Sequence, residues 1–211
     1  MPFPDYLTSK PRIIFFTDFD GTVTSEDMLD WLVAKEGYGL ERLRQSSQAV
    51  MDGTMTYREA SREQLESIQI GFEKCIEMAI AHAQLDEGFL AFYKWAVSAN
   101  VPIVVLSGGL APMIEATLKH FVGHETAEIE VVANSVAVRE GFASVNHDGG
   151  AWRVLFRDDT VYGNDKAQAI KPYAEYCDKM DEEDRPILLR QQMPFTEFQN
   201  WQTILETTQD L

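Results

Sequence analysis

The chain has 211 residues, 45% of them hydrophobic, and a formal net charge of −16. That length and apolar content suit one core domain carrying an insertion, and the charge argues against nucleic acid or an anionic membrane surface as a partner. No apolar run approaches the roughly 18 residues of a membrane helix, Met1-Pro2-Phe3-Pro4-Asp5 lacks the basic-then-apolar order of a signal peptide, and the widely separated Cys75 and Cys177 read as free thiols of a reducing, cytoplasmic compartment.

The first element is the apolar strand Ile13-Ile14-Phe15-Phe16, which runs into Thr17-Asp18-Phe19-Asp20-Gly21-Thr22. Side chains at i and i+2 of a strand share a face, so Asp18 and Asp20 can reach one small site. One carboxylate can attack phosphorus, and a second carboxyl can give and take the proton of the leaving oxygen. Gly21 permits a sharp turn, and Thr22 offers a hydroxyl to a phosphate oxygen.

From Ser25 the pattern becomes helical, with Met28, Leu29, Leu32 and Val33 on one stripe and Glu26 and Asp27 in the first turn. Thr56-Tyr57-Arg58-Glu59 is a capping box opening a second helix. A third helical stretch carries Phe72, Ile76, Ala79 and Ile80. Asp86 caps a fourth, with Phe89, Tyr93, Ala96 and Val97 facing inward. Nothing from Thr24 to Leu85 has strand character, so this segment reads as an all-helical insertion.

The second core strand is Val101–Leu106. It ends in Ser107-Gly108-Gly109, with Pro112 early in the next helix. A strand end, a small hydroxyl, two glycines and a helix N-terminus make an anion site. That helix carries Ile114, Leu118 and Phe121, and Gly123 stops it. Glu130–Asn134 and Ser135–Val138 read as two strands, and Trp152–Phe156 as another. Tyr162-Gly163-Asn164-Asp165-Lys166 opens a helix that Pro172 kinks or ends. Arg185–Leu189 is the last core strand.

At these motifs the chain resembles the haloacid dehalogenase superfamily, and within it the phosphoserine phosphatase-like group, which includes phosphatases of methionine salvage. Asp18-Phe19-Asp20-Gly21-Thr22 matches the first motif, D-x-D-x-[TV], and Gly163-Asn164-Asp165-Lys166 matches the G-x-D-K pattern of the third. The resemblance runs from Arg12 to about Leu189. It implies an α/β, Rossmann-like core with a parallel sheet, formed by 1–23 and 100–211, and a helical cap, 24–99, inserted after the first strand. It implies a phosphatase of a small phosphomonoester acting through an aspartyl-phosphate. Asp18 would be the nucleophile and Asp20 the general acid and base. Ser107 and Gly108 would bind phosphate with Thr22, and Lys166 would neutralise Asp18 and the phosphoryl group. Asp27 would face the substrate, and Mg²⁺ would bind the Asp18 carboxylate and the Asp20 carbonyl.

The family's fourth motif, G-D-G-x-x-D, should follow the last core strand. Here Arg190-Gln191-Gln192-Met193-Pro194-Phe195 follows, and no acid occurs before Glu197. This break leads to the expectation of a weakened metal site. Its alternative is a splice variant or pseudo-phosphatase that keeps the fold and binds phosphate without turnover.

Overall fold

A computed structural model describes residues 11–123 and 129–190. The arrangement after Arg190, including the segment where the fourth motif would fall, lies outside the described residues.

Strand β1 (Ile13–Thr17) is buried along its whole length. The reason is its place inside a five-stranded sheet of order β4-β3-β2-β1-β5, with a strand on either side. It pairs in parallel with β2 (Ile103–Leu110) on one side and β5 (Ile187–Arg190) on the other, with Phe15 opposite both Ile103 and Leu189. A parallel sheet is covered on both faces, which is why its strands read as unbroken apolar runs. Odd and even residues of β1 divide between two cores. Ile13 and Phe15 join Phe89, Phe92 and Ile114 on one face, and Ile14 and Phe16 join Ala169 and Tyr173 on the other.

Five helices stand between β1 and β2: α1 (Met28–Glu36), α2 (Leu40–Met51), α3 (Tyr57–Glu66), α4 (Phe72–His82) and α5 (Phe89–Ser98). The first four gather around Leu32, Leu43, Leu65 and Phe72. Helix α5 lies instead on the sheet, with Phe92 against Phe15 at 4.6 Å between ring centroids. The chain enters and leaves this segment at one neck. There the Thr24–Leu85 bridge and the Asp86 N–H to Val23 carbonyl bond, at 2.9 Å, hold both ends together.

Several elements differ from the sequence expectation. Asp27 is the N-cap of α1, accepting from the Asp30 N–H, and does not sit in its first turn. The capping box of α3 forms as expected, with Thr56 and Glu59 bonded reciprocally. Helix α2 was not expected. Only Leu43 and Ser46 are buried on it, too few apolar positions to mark a stripe. Asp86 does not cap α5; Gly88 holds that position and donates its N–H to the Asp86 carboxylate at 2.9 Å.

Strand β2 runs on to Leu110, so Ser107, Gly108 and Gly109 remain extended up to α6 (Ala111–Val122). The two strands expected over 130–138 are one, β3 (Ile129–Val138). Its first half pairs in parallel with β2 and its second half antiparallel with β4 (Trp152–Leu155), the change falling between Asn134 and Ser135. Helix α7 (Lys166–Cys177) continues through Pro172.

Trp152 fastens the helical segment to the sheet. It is fully buried, meets Phe72 edge to face at 5.3 Å, and donates its indole N–H to the Ile70 carbonyl at 3.0 Å. Trp152→Ala should destabilise the chain by about 3–5 kcal/mol, the range for deleting a large buried aromatic. A two-state urea titration checks this; a loss below 1 kcal/mol would show that the two parts hold together without it.

Candidate active site

In open α/β sheets, ligands collect beyond the carboxyl ends of the strands. Asp18 lies one residue past β1, and its backbone turns sharply there. The Phe19 carbonyl accepts from the N–H groups of Thr22, Val23 and Thr24 at 2.8–3.2 Å, and Gly21 takes φ 67° to allow this. Phe19 itself is buried in the sheet core, which pins the turn. The Phe19 N–H donates to Asp18 Oδ1 at 2.8 Å. Asp20 Oδ1 accepts from the Met28 N–H at 3.1 Å, at the open end of α1.

Lys166 is the first residue of α7, and Asp165 caps that helix by accepting from the N–H groups of Ala167 and Gln168. This sets the Lys166 ammonium 2.5 Å from Asp18 Oδ2, across 148 residues of chain. Ser107 is buried in the second half of β2, and its Oγ accepts from the Gly109 N–H at 2.9 Å. Two buried asparagines hold this part of the strand. Asn134 donates to the Gly108 carbonyl at 2.8 Å. Asn164 donates to the carbonyls of Ser107 at 2.6 Å and Val132 at 3.0 Å.

Asp18, Asp20, Asp27, Ser107, Gly108 and Lys166 line one cavity of about 680 Å³. That volume is in the range of small-ligand pockets. Thr22 is buried behind the turn and is not among the residues lining this cavity. The structure thus gathers six of the seven residues singled out in the sequence.

The whole constellation, two acids after β1, a serine in β2 and a lysine opening a helix, lies within a stretch that matches one family model. The haloacid dehalogenase-like hydrolase model covers residues 15–185. The chain belongs to that family.

Among its relatives, Pdp3-interacting factor 1 of Schizosaccharomyces pombe is 32% identical over 170 residues, 80% of this chain and 71% of that protein. A polyol phosphate phosphatase of Saccharomyces cerevisiae is 36% identical over 163 residues, 77% of this chain and 64% of that one. A phosphoserine phosphatase of Halobacterium salinarum is 27% identical over 59% of this chain and 57% of its own length. The chain therefore spans less than two thirds of the latter two phosphatases. Solved structures share the fold. A substrate-bound phosphoserine phosphatase matches with TM-score 0.59 at 18% identity, over 85% of this chain and 77% of that one. The phosphoserine phosphatase of T. onnurineus matches with TM-score 0.60 at 12% identity, over 96% of both chains.

The charges of this family member's cavity are unbalanced. Burial, then the charge of Asp27, pushes Asp20 up to about 8, despite the Met28 N–H that opposes the shift. Burial and the Asp18 charge raise Asp27. Burial and Asp27 push Asp30, which also lines the cavity, up to about 6. Asp27 and Asp30 keep contact with solvent, and water there screens their repulsion; the half-buried Asp20 feels it most.

Tyr57 is a further member that sequence reasoning missed. Its ring edge reaches solvent, yet its hydroxyl lies so close to Gly108 that an added Cβ there would stand 2.8 Å away. Burial and the surrounding carboxylates push its hydroxyl up to about 12. Nothing local marks Tyr57 in the sequence. Asp30 had a faint signal, three residues after Asp27 and so on the same helix face. Asn134 had one too, a polar residue closing an apolar run. Asn164 Oδ1, buried at the cavity wall, has no partner among the described residues and stands ready to accept a hydrogen bond.

The Asp20 shift has a consequence for stability in metal-free buffer. Below about pH 4 Asp20 is protonated in both folded and unfolded chains and has no effect. Between that point and pH 8 the unfolded chain releases the proton and the folded one retains it, so stability falls as pH rises. Asp20→Asn keeps an acceptor for the Met28 N–H and removes this penalty. With EDTA at pH 8 it should melt about 2–6 °C above the parent, with the gap closing near pH 4. Equal melting at pH 8 would remove the electrostatic account.

Proposed function

We propose that this chain is a phosphatase of small phosphomonoesters that works through an aspartyl-phosphate at Asp18. The observation carrying this reading is the Lys166 ammonium held on Asp18 Oδ2, in a cavity that Ser107 also lines. A lysine so placed pairs with the carboxylate and offsets charge on an incoming phosphoryl group.

In this reading an Asp18 oxygen attacks phosphorus and the ester bond to the leaving oxygen breaks. Asp20, two residues on and also at the cavity, gives that oxygen its proton. It then takes one from the water that releases phosphate. The Ser107 hydroxyl and the backbone at Gly108 hold the non-bridging phosphate oxygens, with Lys166 as their counter-charge. The asparagine bonds to the Ser107 and Gly108 carbonyls keep that cradle in shape.

Magnesium fits the donors present. It takes hard oxygen ligands, and the burial and neighbouring carboxylate charges that raise Asp20 and Asp27 are offset by a divalent cation. The Asp18 carboxylate and the Asp20 carbonyl would hold it. When bound it supplies charge neutralisation at the phosphoryl oxygens.

We further place the cap at 24–99 and the core at 1–23 and 100–211, with α5 the part of that insertion packed on the sheet. Asp27, Asp30, Tyr57, Ser61 and Gln64 line the cap side of the cavity. These acceptors and hydroxyls suit a hydroxylated leaving group, and the two acids repel a carboxylate. The polyol phosphate phosphatase relative supports that preference. No helix among the described residues is long and apolar enough to cross a membrane, and both cysteines are free and buried, which suits a cytoplasmic setting. The rival reading, phosphate held without turnover, has Arg190 in its favour. It lines the cavity at the end of β5, where the family resemblance points to acids next.

Assay on p-nitrophenyl phosphate, with Mg²⁺ or with EDTA, separates the two readings. Turnover should require Mg²⁺ and fall at least about 10³-fold in Asp18→Asn. A polyol phosphate should exceed phosphoserine in kcat/KM by about tenfold or more. Tight phosphate binding without turnover at saturating Mg²⁺ would establish the rival.

A further inference from the structure

We propose that Arg58, which lies outside the motifs of the site, is a positioning residue for Lys166. Through it helix α3 fixes the loop that leads into α7. The inference rests on the phosphatase reading for its activity arm and on geometry for the rest.

Arg58 is the second residue of α3, next to the cavity-lining Tyr57. Its own N–H donates to the Val161 carbonyl at 2.8 Å. Its Nη1 donates to the carbonyls of Asp158 and, at 3.3 Å, Thr160. Its guanidinium lies 4.4 Å from the centre of the Phe156 ring, with that of Arg62 at 5.4 Å. The pair with Asp159, at 3.5 Å, adds little because Asp159 is fully in solvent. One side chain from the helical segment thus grips the loop by two carbonyls and an aromatic face, which a planar fork of donors can do.

The loop transmits that grip because it is closed on itself. Asp158 Oδ1 accepts from the Thr160 N–H at 2.9 Å, and Asp158 Oδ2 accepts from the Asp165 N–H at 2.7 Å. The Asp158 N–H donates to the Gly163 carbonyl at 3.0 Å. Gly163, at φ 75°, packs so tightly on Phe156 that a Cβ would stand 2.2 Å from its ring. Asp165 caps α7, and Lys166 follows directly. Asn164 ties the inner end of the loop to the sheet, and Arg58 ties the outer end to α3. Truncation of Arg58 removes its side-chain bonds to the Asp158 and Thr160 carbonyls and its contact with Phe156, leaves the backbone bond to Val161, and so loosens the loop that carries Tyr162 and leads to Lys166.

The test compares the full chain with Arg58→Ala and Arg58→Lys. In Arg58→Ala, amide hydrogen exchange of peptides covering 157–165 should quicken about tenfold or more while β1 and β2 stay as they were. On p-nitrophenyl phosphate, kcat should drop about 10–100-fold with KM within about threefold. Low millimolar guanidinium should restore part of the loss, which a merely unstable variant would not show. Arg58→Lys keeps the charge without the fork and should fall between, and it decides the matter if the alanine variant does not fold. Parent-like exchange over 157–165 in a folded variant overturns the proposal, as does parent-like kcat. If the parent itself hydrolyses nothing, the phosphatase reading falls, and the exchange comparison alone supports or overturns the latch.

Discussion

Charge crowding at the end of β1 is the constraint on which the rest of the structure turns. Asp18, Asp20, Asp27 and Asp30 open on one cavity in a chain whose net charge is already −16. Asp27 and Asp30 keep contact with solvent, but the half-buried Asp18 and Asp20 are tolerated only where hydrogen bonds or a counter-charge meet them. The fold meets this one by one. Asp18 has the Phe19 N–H and the Lys166 ammonium. Asp20 has the Met28 N–H at the positive end of α1. Asp27 is occupied as the cap of that same helix. The surplus that these contacts do not neutralise is a standing attraction for cations.

The neutralising group comes from far along the chain, so the sheet must deliver it. Strands β1, β2 and the helix after β4 converge only because the parallel order sets their carboxyl ends side by side. Asn134 and Asn164 translate that order into the placement of single atoms, each binding a backbone carbonyl in the second half of β2.

How much of this was legible in sequence depended on whether a residue acts within a local pattern. Asp18, Asp20 and Lys166 were legible because each stands where a strand or helix meets its loop and the chemistry and the family motifs coincide, and Ser107 because a hydroxyl and two glycines close an apolar run, although β2 continues through it. The capping box at Thr56 and Glu59 was legible for the same reason. Helix α2 was not, because its buried face rests on Leu43 and a serine and makes no apolar stripe. The unity of β3 was hidden because the strand changes partner midway, and pairing leaves no trace in the order of side chains. Tyr57 and Arg58 were visible only as part of a cap. Their roles arise from contacts with Gly108 and with a loop 100 residues away, which no local spacing encodes.

The neck at Thr24 and Leu85 carries a different kind of consequence. Because the Val23 and Asp86 backbones are bonded to each other, the core sees the entire intervening segment as one closed loop. Closure entropy grows only slowly with loop length, by about 0.6 kcal/mol per doubling. Added length in this segment therefore costs the core little in closure entropy, so insertions are tolerated wherever they leave the Trp152 and Arg58 contacts in place. The residues that this segment lends to the cavity can thus change while those lent by the strand ends and α7 stay as they are.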